Sequence, residues 1–252
     1  MDLETPTAEL TPPPPRADRA PSARARLVAA GEVLLCSDYP TQFLLGVIFH
    51  GFGLSMQDAD GGLSFNFIVL LSLIDTVLLL GLIFACLHAH GESPREVFLG
   101  ARPIAQEARL GMPLTVVAFV LAVGGLLTAR WVMPGWKEPR NPFQDVVTGP
   151  GSAAMFALVV VIAGGIREEV QRAFLLHRFE HWLGGIWVGV GVTSLAFGAG
   201  HLVQGADAVV ATTILGAFWA IVYVRRRSVV AQVVSHSSFN LLQLLQLVAI
   251  GR

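Results

Sequence analysis

Charge is what this sequence has least of. Only 14% of its 252 residues are Asp, Glu, Lys or Arg, against 54% hydrophobic, and its mean hydropathy is +0.63; a soluble domain carries about 25% charged residues. That excludes an ordinary water-soluble enzyme. The 17 basic and 18 acidic residues leave a net charge of -1, so there is no basic excess to hold nucleic acid and no acidic tail to recruit a cation. Cysteine is nearly absent. Cys36 and Cys86 both lie in apolar surroundings without Cys-x-x-Cys spacing, which removes a disulfide framework and a zinc finger together. His-Glu-x-x-His, Gly-x-Ser-Gly and Gly-x-Gly-Asp are also missing, so the zinc, serine and aspartyl chemistries of those intramembrane protease families are disfavoured.

What fills the chain instead is a series of apolar runs, each near the length of about 20 residues that a helix needs to cross hydrocarbon. They fall at 41-56, 64-88, 110-129, 152-176, 186-203, 207-224 and 229-249. The expectation is an all-α, polytopic transmembrane helix bundle of about seven spans, of which the first is short enough to be re-entrant or interfacial. An eighth over Leu27 to Leu35 is interrupted by Glu32. Residues 1-26 hold Pro6, Pro12 to Pro15 and Pro21 among Ala, Arg and Glu, and read as a disordered tail rather than a signal peptide. The division is a tail over 1-26, N-terminal helices and loops over 27-149, and a core over 150-252. Pro134, Pro139, Pro142 and Pro150 mark an irregular loop before that core.

Arginine and lysine set the orientation. Arg16, Arg19, Arg24, Arg26, Arg95, Arg102, Arg109, Arg178, Arg225, Arg226 and Arg227 fall on one side of the seven-span scheme; Arg130, Lys137, Arg140 and Arg252 fall on the other. The first side is expected to be cytoplasmic, with the N-terminus inside and Asp60 and Asp207 outside, in what reads as a bacterial plasma membrane.

Ionisable groups inside a bilayer cost about 2.5 to 3.5 kcal/mol each on insertion scales, so each needs a partner or a function. The densest cluster is Arg167-Glu168-Glu169-Val170-Gln171-Arg172. Glu168 and Arg172 are four apart and Glu169 and Arg172 three apart, so one guanidinium can serve either carboxylate. The two glutamates themselves point about 100° apart. The next span ends in Phe197-Gly198-Ala199-Gly200-His201, and the last contains His236-Ser237-Ser238-Phe239-Asn240, with His236 and Asn240 on one face. If Gly184-Gly185 is the turn between the fourth and fifth spans, Glu168 and His201 come level across a helical hairpin. His236 should then sit nearer the cytoplasmic face, unless Leu176 to Leu183 runs along the interface.

Two adjacent glutamates and an arginine, then Phe-x-x-x-His, then His-x-x-x-Asn, each in its own span, resemble the CPBP family: the type II CAAX prenyl endopeptidases and the bacteriocin-processing or immunity proteins also called the Abi family. The likeness covers about residues 150 to 245. It departs at one point, because the family pattern is Glu-Glu-x-x-x-Arg; here Arg172 comes one residue early and Ala173 stands in its place, so helical spacing pairs Arg172 with Glu168. The resemblance implies an intramembrane endopeptidase acting on a membrane-associated protein or peptide, with Glu168, Glu169, Arg172, His201, His236 and Asn240 as its site. The first glutamate would activate water, His201 would position it, and His236 with Asn240 would supply oxyanion donors. A zinc or other divalent ion held by Glu168, His201 and His236 is the competing version.

Two other classes stay open: a non-catalytic immunity or scaffold protein of the same fold, and a small-solute or proton transporter, against which the lack of inverted repeats counts. His177-Arg178-Phe179-Glu180-His181 matches His-x-x-Glu-His but lacks the further acidic ligand, and reads as an interfacial anchor with its cations at the headgroups. Asp75, mid-span, reads as a lone, neutral packing group outside the site; His50, His88 and His90 read as interfacial.

Overall fold

A computed structural model describes residues 21-136 and 146-250. Residues 1-20 of the tail expected over 1-26, together with Lys137, Pro139, Arg140, Pro142 and Arg252, lie outside the described residues. Among the described ones every regular element is a helix, and the sole pairing of extended backbone is an isolated bridge between Gln57 and Leu63. In chain order these are α1 (Ala23–Leu35), α2 (Tyr39–Gly51), α3 (Phe65–Ala89), the short α4 (Pro94–Phe98), α5 (Ile104–Val132), α6 (Pro150–Val161), a π-helical segment (Ile162–Arg167), α7 (Glu168–Trp182), α8 (Ile186–Ala199), α9 (Ala206–Arg226) and α10 (Val230–Ile250).

The all-α expectation holds, with revised boundaries. α1 starts at Ala23, within the stretch read as tail, because Ser22 caps it by accepting from Ala25 N at 3.2 Å. It runs through Glu32 without a break, but its 13 residues span only about 20 Å and cannot cross. α2 is equally short, at 13 residues. Among the described residues four helices are long and apolar enough to span: α3, α5, α9 and the continuous Pro150–Trp182 rod made of α6, the π segment and α7. α8 is apolar but has 14 residues. α10 has the length, with 21 residues, and carries Gln, Ser, His and Asn among its apolar side chains. Large apolar side chains stand exposed around these helices, among them Phe43, Val77, Val120, Trp131 and Leu195. In water such a surface would aggregate; together with the apolar spans it marks an integral membrane protein.

Ion pairs gather at the two ends of the bundle. At one end Arg178 bonds Glu32 and Glu92, His90 bonds Glu32 at 2.7 Å, Arg226 pairs with Glu107, and Arg227 holds Glu180 at 2.6 Å. The 89-109 loop, the end of α7 and the 225-228 turn therefore share an end. At the other end Arg130 of α5 bonds Asp207 of α9 at 2.8 Å. The headgroup anchor expected at His177 to His181 is corrected here, because Arg178 is fully buried under Phe174 and Trp182 with two carboxylates on it. His90 likewise has a specific partner in Glu32 rather than a purely interfacial setting.

Candidate active site

The Pro150–Trp182 rod changes its winding where it meets α10. Ala163, Gly164 and Gly165 lie within the π segment, and the two glycines let α10 come close. A Cβ at Gly165 would fall 2.0 Å from Ser237 Oγ, and one at Gly164 2.7 Å from Asn240 Nδ2. A wide turn of this kind shifts the facing of every residue after it. The first two residues to follow are Glu168 and Glu169.

Those two carboxylates meet different surroundings. Glu169 has 2% of its side chain exposed, pairs with the Arg172 guanidinium, and accepts from His236 Nδ1 at 2.8 Å. Glu168 keeps 16% exposed and has only long contacts: Arg167 Nη2 at 3.4 Å and His236 Nε2 at 3.8 Å, the latter too long for a direct hydrogen bond. The pairing of Arg172 with Glu168 is thereby corrected. Residues three and four apart occupy the same helical face, so an arginine one place early still reaches the second glutamate at i,i+3. The Arg172 guanidinium also lies over the Phe197 ring, 4.7 Å from its centroid, and 5.8 Å from that of Trp219.

His236 is held on three sides. Glu169 accepts a hydrogen bond from its Nδ1, Trp219 of α9 stacks on its ring at 3.8 Å and 19°, and the Phe197 ring stands edge-on at 6.0 Å. With Nδ1 donating to Glu169, Nε2 is the ring atom that faces Glu168. Trp219, fully buried and bonded through Nε1 to Ser235 Oγ at 3.2 Å, was not among the expected site residues. Its signal was a tryptophan in mid-helix, away from the interfacial belts where the residue concentrates.

The depth problem for His236 is solved without an interfacial segment. α7 runs unbroken to Trp182, and the Arg227–Glu180 pair sets the α9–α10 turn level with Glu180. From that level Glu169 is 11 residues back and His236 nine residues on, about 16 and 13 Å at 1.5 Å per residue. Gly184 and Gly185 do form the turn between α7 and α8, at φ of +99° and +101° where glycine is favoured. The Arg172–Phe197 contact is symmetric about that turn, as is Glu168 with His201. His201 nevertheless lies past the end of α8, and donates Nδ1 to the Phe197 carbonyl at 2.8 Å while packing on the Phe197 ring at 4.7 Å.

A metal held by Glu168, His201 and His236 does not fit this arrangement. Among the described residues no group of three or more His, Cys, Asp and Glu is arranged to hold a metal ion. Asp75 is corrected from lone to paired: fully buried on α3, it bonds Arg167 Nη1, with Gln42 Nε2 at 3.4 Å and Asp38 Oδ1 also 3.2 Å from that nitrogen. Burial pushes the Asp38 carboxyl up to about 7, against the pull of Arg167. Arg167 was legible as part of the charged cluster on its helix, whereas Asp75 read as a neutral packing group.

Residues 150–242 match the family model described as type II CAAX prenyl endopeptidase, Rce1-like. The matched stretch runs from the start of α6 into α10, includes all six candidate site residues, and supports membership of the CPBP family. No curated protein and no solved structure matches the chain.

Proposed function

With the Rce1-like stretch over 150–242 as the premise, we propose that this protein is an intramembrane endopeptidase in which Glu168 activates water against a peptide bond of a membrane-associated protein or peptide. The observation that carries the reading is the inequality of the two glutamates. Glu169 spends its lone pairs on Arg172 and His236, whereas Glu168 is reachable and only loosely contacted. A general base needs free lone pairs within reach of the nucleophile.

In this mechanism water lies between Glu168 and His236 Nε2. Glu168 takes one proton as the water oxygen attacks the carbonyl carbon; His236 accepts a hydrogen bond from the other. Asn240, one turn further along α10, supplies the oxyanion donor. Glu168 then returns its proton to the leaving nitrogen as the C–N bond breaks, giving a carboxylic acid and an amine, and the acid's proton passes on to the amine. Glu169 fixes the tautomer and orientation of His236. The division of labour differs from the sequence expectation, because His236, not His201, stands beside the base.

The orientation proposed is the one the cation bias gives, with the 225-228 turn cytoplasmic. Labelling of a Cys at position 226 from outside overturns it. The activity is tested with purified protein in detergent against a library of prenylated and unprenylated membrane-tethered peptides. Cleavage that Glu168→Gln abolishes is expected; no cleavage anywhere in the library, or full cleavage by Glu168→Gln, overturns the reading in favour of a non-catalytic relative.

A further inference from the structure

Two carboxylates from outside the Rce1-like stretch reach into its site. Asp75 lies in the middle of α3, and Asp38 lies in the corner between α1 and α2. Between them and Glu168 stands one buried guanidinium. Arg167 Nη1 faces Asp75 Oδ2 and, at 3.2 Å, Asp38 Oδ1; its Nη2 faces Glu168 Oε1 at 3.4 Å. Asp38 holds a left-handed backbone, φ +73°, which is uncommon for any residue with a side chain and persists where surroundings enforce it. Its corner is fastened to the catalytic helices by Gln171 Nε2 donating to the Cys36 carbonyl at 2.8 Å and by Tyr39 Oη donating to the Ala196 carbonyl at 2.9 Å.

We propose that Asp75 and Asp38 are positioning residues for Glu168: they hold the Arg167 guanidinium by its Nη1 edge, so that Nη2 orients the Glu168 carboxylate without closing on it. A buried guanidinium engages whatever carboxylates surround it, in bidentate geometry where it can. Remove Asp75, and Arg167 closes on Glu168, covering the lone pairs that water needs. Asp38 acts in the same sense from a longer contact. The ionisable groups facing Glu168 are thus Arg167 on its own rod and His236 on α10, while Asp75 on α3 and Asp38 in the corner act through Arg167.

This proposal rests on Glu168 being the base, and its test separates the two. Infrared difference spectra, each background minus the same background carrying Glu168→Gln, isolate the Glu168 carboxylate stretch at pH 8 in purified full-length protein. Asp75→Asn should shift that stretch, Asp38→Asn should shift it less and in the same direction, and neither should shift it once Arg167→Gln is present. With a farnesylated C-terminal peptide as the turnover probe, Asp75→Asn should lower kcat by about ten- to a hundredfold with KM nearly unchanged. It should remove nothing further from the residual rate of Glu168→Gln. A stretch that neither aspartate variant moves overturns the proposal; so does an Asp75→Asn loss that persists on top of Glu168→Gln, since the aspartate then acts on packing. Should Asp75→Asn fail to accumulate, Asp38→Asn decides through the same stretch. Full turnover by Glu168→Gln sinks the base and leaves the infrared result to judge the clamp.

Discussion

The two sides of the Glu168–Glu169 step are built differently. Toward α8, α9 and α10, charge is matched one for one: Glu169 against Arg172, with the rings of His236, Phe197 and Trp219 closing the remaining space. Toward α1, α2 and α3, three carboxylates, Asp38, Asp75 and Glu168, share the single guanidinium of Arg167. A matched, desolvated pair holds a shape. An over-supplied one leaves a carboxylate with capacity to spare, which is what a base requires.

The largest effect should fall on the over-supplied side. Glu168→Gln is expected to lower turnover by about a hundred- to ten-thousandfold with little change in thermal stability, read from single-turnover cleavage and denaturation in detergent. Glu169→Gln should invert that profile. Removing one partner of a buried pair leaves Arg172 uncompensated, at a cost of about 3–5 kcal/mol, while activity falls only in part as His236 loses its orienting acceptor. A dead but fully stable Glu169→Gln beside an active Glu168→Gln would reverse the assignment of the two sides.

The histidines sharpen the comparison at a smaller scale. His236→Ala removes the ring between the two glutamates and empties the stack on Trp219, so a drop in kcat near that of a lost acid–base partner, about a hundredfold, is expected. His201→Ala removes a ring that contacts Phe197 and its carbonyl, and should cost less. Equal losses from the two variants would show that His201 swings into the site during turnover.

Much of this was legible in the sequence because it is local. The Gly184–Gly185 turn, the apolar lengths of α3, α5 and α9, and the reach of Arg172 to one or other glutamate follow from spacing alone. What spacing could not show is which helices become neighbours. Arg178 read as a headgroup anchor because its partners, Glu32 and Glu92, lie 146 and 86 residues away in the chain. Asp75 read as solitary for the same reason, its partner Arg167 being 92 residues on. The choice between i+3 and i+4 for Arg172 was also beyond spacing, since a π segment just upstream sets where the first glutamate points. α1 was hidden by composition: the proline-rich stretch before it masked the Ser22 cap that starts the helix.

The smallest effect concerns Asp38 and carries a sign that can be checked. Its carboxyl is raised from the ordinary 3.8 to about 7, chiefly by burial, with Arg167 pulling the other way and Asp75 adding to the rise. A group whose folded pKa lies above its unfolded one binds a proton more tightly when folded, so it favours the fold below the unfolded value and loses that advantage as pH climbs through the folded one. The penalty should therefore be absent near pH 4, grow between pH 4 and 7, and be complete at pH 8. Asparagine has no proton to lose and tolerates the left-handed backbone at φ +73° as aspartate does. Asp38→Asn should denature with wild type at pH 4 and at a higher temperature than wild type at pH 8. Carboxylates remote from the Arg167 cluster titrate alike in both proteins and cancel in the difference. A variant less stable than wild type at pH 8 would mean that Arg167 needs the Asp38 charge more than burial resists it, and the α1–α3 side would then be a matched cluster like its neighbour.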